Sequence, residues 1–338
     1  MPSSIDPAIL HALSLQGDTS IISIHGGSGF ASTFRITTPS TSVFVKTSSS
    51  PGAAVMFEGE HASLNAIHDA VPRLCPKSFA WGKLDRGGYF LATEFLEFGA
   101  GRLSRTRGGS SGKGSGMSLA EKLAQLHSTP APTPEGHDSP RFGFPVTTCC
   151  GDTPQENEYT SSWAEFFANE RLLAILKRSE KNNGRDPELR RTVERTVQEV
   201  VPRLLGDGHL GGKEGIQPVV VHGDLWSGNK GKGSFVGRDQ ASSDEANAIE
   251  DVVFDPSACY AHNEYDFGIM NMFGGFSPGF WKEYHAIVPK TEPVSEYPDR
   301  VALYESYHHL NHYAIFGGGY KSGAMSILKG LLKKYGDR

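Results

Sequence analysis

HGDLWSGN, residues 222–229, and the FDP at 254–256 that follows it decide how the rest of the chain is read. Val219, Val220 and Val221 form an apolar run leading into Asp224; Asn229 stands five residues further on, and Asp255 closes a second β-branched run over 249–254. Short runs of this kind, bounded by polar turn residues, are read as buried strands. One acid and one amide therefore share a turn after the first strand, and a second acid ends the next.

That layout suits phosphoryl transfer. Moving the γ-phosphoryl of ATP needs a carboxylate to orient and deprotonate the acceptor hydroxyl, plus oxygen ligands that hold Mg²⁺ against the phosphates. Asp224 fits the first role. Asn229 and Asp255 fit the second, because Mg²⁺ takes few protein ligands and prefers carboxylate, amide and water oxygens. Protein kinases show the same spacing: a catalytic-loop Asp, an Asn five residues later, and a metal-binding Asp after a nearby strand. An isolated HGD, or an Asp or Asn capping a turn, arises often by chance, so the set carries the reading and no single member does.

With those residues in place the chain resembles the fructosamine-3-kinase (ketosamine-3-kinase) family. HGDLWSGN, the strand and DP, TCCG (148–151), MFGGF (272–276), FVK (44–46), MFEGE (56–60), FGF (142–144) and LNH (310–312) all match it, over about 23–332. The resemblance implies an α+β, bilobal protein-kinase-like fold related to aminoglycoside phosphotransferases. A small β-rich N-terminal lobe over residues 1–97 would precede a larger, mostly helical lobe over 98–338. It also implies that ATP phosphorylates the C3 hydroxyl of a ketosamine on a glycated amine or protein. The product would then fall apart to the free amine.

The upstream residues supply the expected nucleotide contacts. In SIHGGSGFASTFR (23–35), Gly26, Gly27 and Gly29 let backbone amides approach phosphates, although a Gly-rich hairpin turn reads equally simply. The motif is neither GxGxxG nor a Walker A loop, but it precedes a strand, 41–47, that carries Lys46, as a kinase loop should. Phe57, Leu64, Ile67 and Val71 recur at helical spacing, and Glu60 shares their stripe while Glu58 is rotated off it. An acid on an apolar face needs a partner, so Glu60 is expected to pair with Lys46, with Glu58 as the fallback. GYFLATEFLEF (88–98) reads as a strand leading into a connector; backbone groups near Glu94 and Leu96 would bind the adenine edge if this is the hinge, and a plain buried strand is the alternative.

Composition excludes several other classes. The chain has 338 residues, enough for two lobes, and its 33 Lys+Arg against 38 Asp+Glu give a charge of −5 with no basic block, so no nucleic-acid partner is expected. No apolar stretch approaches 18 residues, and MPSSIDPAIL lacks a leader's basic and apolar segments; a cytoplasmic protein without membrane contact is expected. Cys75, Cys149, Cys150 and Cys259 form neither a CxxC pair nor a disulfide frame. Many family members carry a loop cysteine that supports redox-sensitive disulfide dimers; Gly29 takes that place here, so this regulation is not expected. A monomer or homodimer would fit.

The remaining segments read as scaffold. RLSRTRGGSSGKGSGMS (102–118) is a Gly/Ser-rich insertion without Walker A spacing, and 230–247 reads as a hairpin tip longer than the family's, its acids solvated. By its residues alone, 142–151 is a loop; by resemblance it borders the acceptor pocket. Helices are expected over 119–127, over 163–177 with Trp163, Phe166, Phe167 and Leu173 on the core face, and over 187–205 with Leu189, Val193, Val197, Val200 and Leu204. Asp266 is placed to cap amides and brace the catalytic loop. His308, His309 and His312 on a C-terminal helix read as core packing rather than a zinc site. Trp226, beside the base, is either a platform for the sugar or a core residue.

The leading reading is an ATP- and Mg²⁺-dependent ketosamine 3-kinase. A kinase for another hydroxylated amine, aminoglycoside- or choline-like, shares the same catalytic residues, and a nucleotide-binding pseudokinase is the non-enzyme alternative.

Overall fold

A computed structural model describes residues 5–15, 19–23, 31–39, 41–99, 116–236 and 249–337. Gly26, Gly27 and Gly29 lie outside the described residues, as does most of the 102–118 insertion and of the loop after residue 236.

Helix α1 (Pro7–Ala12) opens the chain, begun by Asp6, whose carboxylate accepts from Ala8 N–H at 3.0 Å and, across the fold, from Asp85 and Arg86 amides at 3.1 and 3.2 Å. Strands β1 (Ser20–Ser23), β2 (Ser32–Thr37) and β3 (Ser42–Ser48) follow, then α2 (Ala53–Ala70), β4 (Ser78–Lys83) and β5 (Tyr89–Phe98). The strands are rich in Val, Ile, Phe and Thr, with alternate residues such as Phe34, Ile36, Val43 and Val45 buried against α1. α2 buries Phe57, Leu64 and Ile67, the stripe read from its sequence. Gly59, on the same helix, approaches the backbone of a later hairpin so closely that a Cβ there would meet Thr147 O at 2.6 Å.

Beyond residue 116 the chain is mostly helical. α3 (Leu119–Leu126) starts with a reciprocal Ser118–Glu121 capping box. A hairpin of β6 (Thr148–Cys150) and β7 (Thr153–Gln155) occupies the segment whose residues alone read as loop. Next come α4 (Trp163–Phe166), α5 (Ala174–Asn183), α6 (Pro187–Arg195) and α7 (Val201–Leu205). After β8 (Val219–Val221) the chain forms an antiparallel pair, β9 (Lys230–Val236) and β10 (Glu250–Val253), and then β11 (Cys259–Ala261) beside β8. Four helices close it: α8 (Asp266–Phe273), α9 (Pro278–Ile287), α10 (Tyr297–Phe316) and α11 (Tyr320–Tyr335). Strand order in the main sheet is β1-β2-β3-β5-β9-β10 with β4 on the other edge of β5. The last residues of β5, Phe95 to Phe98, pair with β9, so the sheet spans both parts of the chain.

Two expected core faces are shifted. Between α4 and α5 the helix widens to π geometry over Phe167–Leu173, and between α6 and α7 over Thr196–Val200. Each wide turn adds a residue to the period, so the 3.6-residue stripe no longer holds across it. Leu173 and Val197, expected in the core, are only half-buried, while Arg171 and Thr196 are fully buried in their stead. Arg171 satisfies its guanidinium with Glu156 O at 3.2 Å, Asn157 Oδ1 at 2.8 Å and the Tyr265 hydroxyl at 3.2 Å.

A second buried cation ties α10 to the segment before α8. Arg300 and Glu264 are both sealed from solvent and joined at 2.7 and 3.1 Å, and Arg300 also donates to the Thr291 and Pro293 carbonyls at 2.6 and 2.9 Å. Removing one partner of such a pair strands a buried charge. Arg300→Met is therefore expected to cost about 3–5 kcal/mol of unfolding free energy, measured by urea denaturation. A loss below about 1 kcal/mol would show that the pair does not hold this region.

Candidate active site

Three elements meet at Lys46. It lies on β3, opposite Thr33 of β2 and Leu91 of β5. Its Nζ stands 2.7 Å from Glu60 Oε1 on α2 and 2.6 Å from Asp255 Oδ1 after β10. The pairing falls to Glu60, not to the fallback Glu58, because Glu60 shares the face of α2 turned toward the sheet. Burial disfavours the Lys46 ammonium, but the two carboxylates more than offset it and hold its pKa above the ordinary value. Burial also raises Glu60, against the pull of Lys46; with two acids around one amine, we take the lysine as charged. Asp255 adopts a left-handed backbone conformation, φ 55°, which Asp tolerates better than most residues.

The turn carrying Asp224 is held by backbone contacts. Asp266, fully buried at the start of α8, accepts from the amides of His222 at 2.8 Å and Gly223 at 2.7 Å, and meets His127 Nε2 at 3.1 Å. That is the bracing role read for it from sequence. Ser257 N–H donates to His222 O at 2.9 Å, and a Cβ on Gly223, φ 79°, would fall 1.9 Å from Ser257 O, so only glycine fits. His222 Nδ1 accepts from Asp224 N–H at 3.2 Å, which leaves Nε2–H to donate to Phe254 O at 3.1 Å. Phe254 N–H in turn donates to Asn229 O at 3.0 Å. These contacts set the spacing between Asp224, Asn229 and Asp255.

Asp224 is half-buried. Asn229 Nδ2 donates to its Oδ2 at 3.2 Å and to its backbone carbonyl at 2.9 Å. Burial and then the Asp255 charge push its carboxyl up to about 8, against hydrogen bonds from Cys150 and Asn229. Nothing in the sequence alone connects Cys150 to Asp224; TCCG is legible there only as a family match. The hairpin places it: Asn311 Nδ2 donates to Cys150 O at 3.2 Å, and Gln155 Oε1 accepts from Ser257 Oγ at 2.6 Å. Burial pushes the Cys150 thiol well up and that of Cys149 up to about 11, so neither is an activated thiolate.

The hinge residues are more committed than expected. Glu94 N–H donates to Lys77 O at 2.9 Å, its carbonyl accepts from Thr93 Oγ1 at 3.0 Å, and its carboxylate accepts from Lys77 N–H at 2.9 Å. The Glu94 amide is therefore not the donor toward an adenine edge. Leu96 pairs with Phe235 of β9. Trp226 is 37% exposed, its ring 5.5 Å from Phe273, so it is a surface residue beside the base. His308 is packed between the rings of Tyr265 and Tyr307, and burial lowers it to about 3; His312 is half-buried among rings nearer the surface.

The raised Asp224 carboxyl has a consequence for stability. With a folded pKa near 8 against 3.8 when unfolded, folding takes up a proton between those values, so this group's contribution falls as pH rises from about 4 to about 8. Asp224→Asn removes the penalty and keeps an acceptor for its neighbours. The ligand-free variant is expected to match the parent near pH 4, to gain on it as pH rises, and to melt about 2–4 °C higher near pH 8, followed by thermal denaturation across pH. A gap that shrinks with rising pH would contradict this.

Known proteins place the chain in a family. The fructosamine kinase family model matches residues 8–334. A protein-ribulosamine 3-kinase, chloroplastic, of Arabidopsis thaliana is 36% identical over 93% of this chain and 83% of its own. A ketosamine-3-kinase of Mus musculus is 33% identical over 86% and 88%. A solved fructosamine-3-kinase candidate from Thermobifida fusca superposes with a TM-score of 0.72 at 22% identity, covering 98% of this chain and 99% of that one. Aminoglycoside phosphotransferase APH(4)-Ia, at 11% identity and a TM-score of 0.52 over 95% and 96%, shares the kinase-like fold. A match over nearly the whole chain, on a kinase-like fold that gathers Lys46, Glu60 and Asp255, has one reading: the chain is a kinase that belongs to the fructosamine kinase family.

Proposed function

We propose that this protein uses ATP and Mg²⁺ to phosphorylate the C3 hydroxyl of ketosamines, fructosyl or ribulosyl, free or on lysines of glycated proteins. The observation that carries the reading is the contact of Lys46 with both Glu60 and Asp255, beside the Asp224–Asn229 turn, in a member of this family. The relatives named as ribulosamine and ketosamine 3-kinases support the acceptor class.

Each residue then has a task. Asp224 accepts the C3 hydroxyl proton as the oxygen attacks the γ-phosphorus; the P–O bond to ADP breaks, and ADP leaves. Lys46, held by Glu60, binds the α/β-phosphates, and amides of the loop with Gly26, Gly27 and Gly29 cover them. Backbone groups of β5 over Glu94–Leu96 that the sheet leaves unused meet the adenine, the Glu94 amide being already engaged. Trp226 offers its exposed ring to the apolar face of the sugar.

The residues present fit Mg²⁺. Asn229 turns its Nδ2 toward Asp224, leaving Oδ1 as a hard donor, and Asp255 is 44% exposed at its side chain with only one oxygen on Lys46. When bound, the ion neutralises charge developing on the phosphates.

The proposal extends to two lobes, 1–97 and 98–338, and to a cytoplasmic monomer or homodimer. Among the described residues no helix is long and apolar enough to cross a membrane.

The test is ADP release, with ³¹P NMR of the product, from Mg-ATP and fructosyl-lysine or ribulosyl-lysine. Turnover that requires the ketosamine and yields a sugar phosphate is expected, with kcat falling at least about 10²-fold in Asp224→Asn. Silence with both ketosamines despite ATP binding would sink the acceptor assignment and turn attention to other hydroxylated amines.

A further inference from the structure

The MFGG at 272–275 recurs in part as IFGG at 315–318, and the two copies end their helices alike. Phe273 is the last residue of α8 and Phe316 the last of α10; Gly274 and Gly317 follow with φ of 64° and 66° and donate back to Met270 O and Tyr313 O at 2.9 and 2.8 Å. Such a glycine cap stops the helix one residue past the aromatic ring and leaves that ring at the helix end. Phe273 is 39% and Phe316 65% exposed, although burial of each ring would be favoured.

The two rings belong to one row. Trp226 lies 5.5 Å from Phe273, Phe273 5.2 Å from His312, and His312 5.8 Å from Phe316 and 5.1 Å from Tyr320. The row begins at the catalytic turn itself: a Cβ on Gly275 would meet Ser227 Cβ at 2.5 Å. It therefore runs from beside Asp224 outward over the ends of α8 and α10.

We propose that this aromatic row is the docking surface for the polypeptide that carries the glycated lysine, an inference that rests on the ketosamine reading above. Reach selects the occupant. From the C3 hydroxyl of a lysine-linked ketose back to the lysine Cα is roughly 10 Å of extended chain, so a carrier backbone must pass within that distance of Asp224. Ring-to-ring steps of 5.5 and 5.2 Å lead from Trp226 through Phe273 to His312, which keeps His312 within that summed reach of Trp226, and Phe316 and Tyr320 follow one step later. Exposed aromatic side chains supply contact area at low entropic cost without demanding one sequence, which suits carriers that differ around the modified lysine. A free ketosamine has no carrier backbone to lay along the row.

The test compares one variant on two acceptors. Phe316→Ser and Tyr320→Ser replace rings outside the catalytic centre. Kinetics would use ribose-glycated lysozyme as the carrier and Nα-acetyl-ribulosyl-lysine as the small acceptor. The expected result is a KM for glycated lysozyme raised about fivefold to tenfold in each variant, with kcat and the KM for the small acceptor within about twofold of the parent. Equal effects on both acceptors, or none on either, would overturn the docking surface while leaving the kinase reading intact. Failure of the parent to phosphorylate either ketosamine, with Mg-ATP still bound, would overturn the acceptor assignment and this inference together.

Discussion

A carboxylate removed from water holds the catalytic turn in place. Asp266 spends its two oxygens on the His222 and Gly223 amides and on His127, three donors from two distant parts of the chain. An ionised carboxylate in such a site is tolerated because both of its oxygens accept hydrogen bonds, and those hydrogen bonds hold its pKa below the ordinary value despite burial. The turn it fixes has no regular secondary structure of its own. Without the clamp, two buried amides would lack acceptors, and the distance between Asp224 and Asp255 would be set by a loop alone.

From that clamp the order spreads by backbone contact. His222 carries it to Phe254 and Ser257 on the Asp255 segment, and Asp255 carries it to Lys46 and so to β3 and α2. The β6–β7 hairpin closes the circuit from the other side. It touches α2 at Gly59, Ser257 through Gln155, and α10 through Asn311 and Tyr307. Side chains from both parts of the chain are thus registered against one another by buried polar groups, each with a partner that a shift of an ångström would lose.

Most of the centre was legible in the sequence because its spacing is local. Five residues separate Asp224 from Asn229 on one turn, strand alternation and the helical period put Lys46 and Glu60 on facing surfaces, and the acid at 266 precedes a helix. What escaped was of two kinds. The π-widened turns moved Leu173 and Val197 off the core and buried Arg171, and no pattern of period 3.6 announces where a helix gains a residue. The role of TCCG depends on partners 161 residues away for Cys150 and 102 for Gln155, contacts that only the folded chain assembles. The hydrogen bond of the Glu94 amide to Lys77 O was equally out of view, since that acceptor lies on another strand's approach.

The arrangement of charge ties the structure to its chemistry. Around the cleft stand Glu60, Asp224 and Asp255 against the single ammonium of Lys46, which already spans Glu60 and Asp255. Asp224, which Lys46 does not reach, keeps its proton because burial and then the Asp255 charge disfavour its ionised form. The same carboxyl must be ionised to take a proton from an acceptor hydroxyl. In the ligand-free fold the Asp224 proton is kept first by burial and only then by the Asp255 charge. A carboxyl kept from water beside a second acid lowers the stability of the empty fold, and the rigid Asp266 clamp and the hairpin are what hold it there.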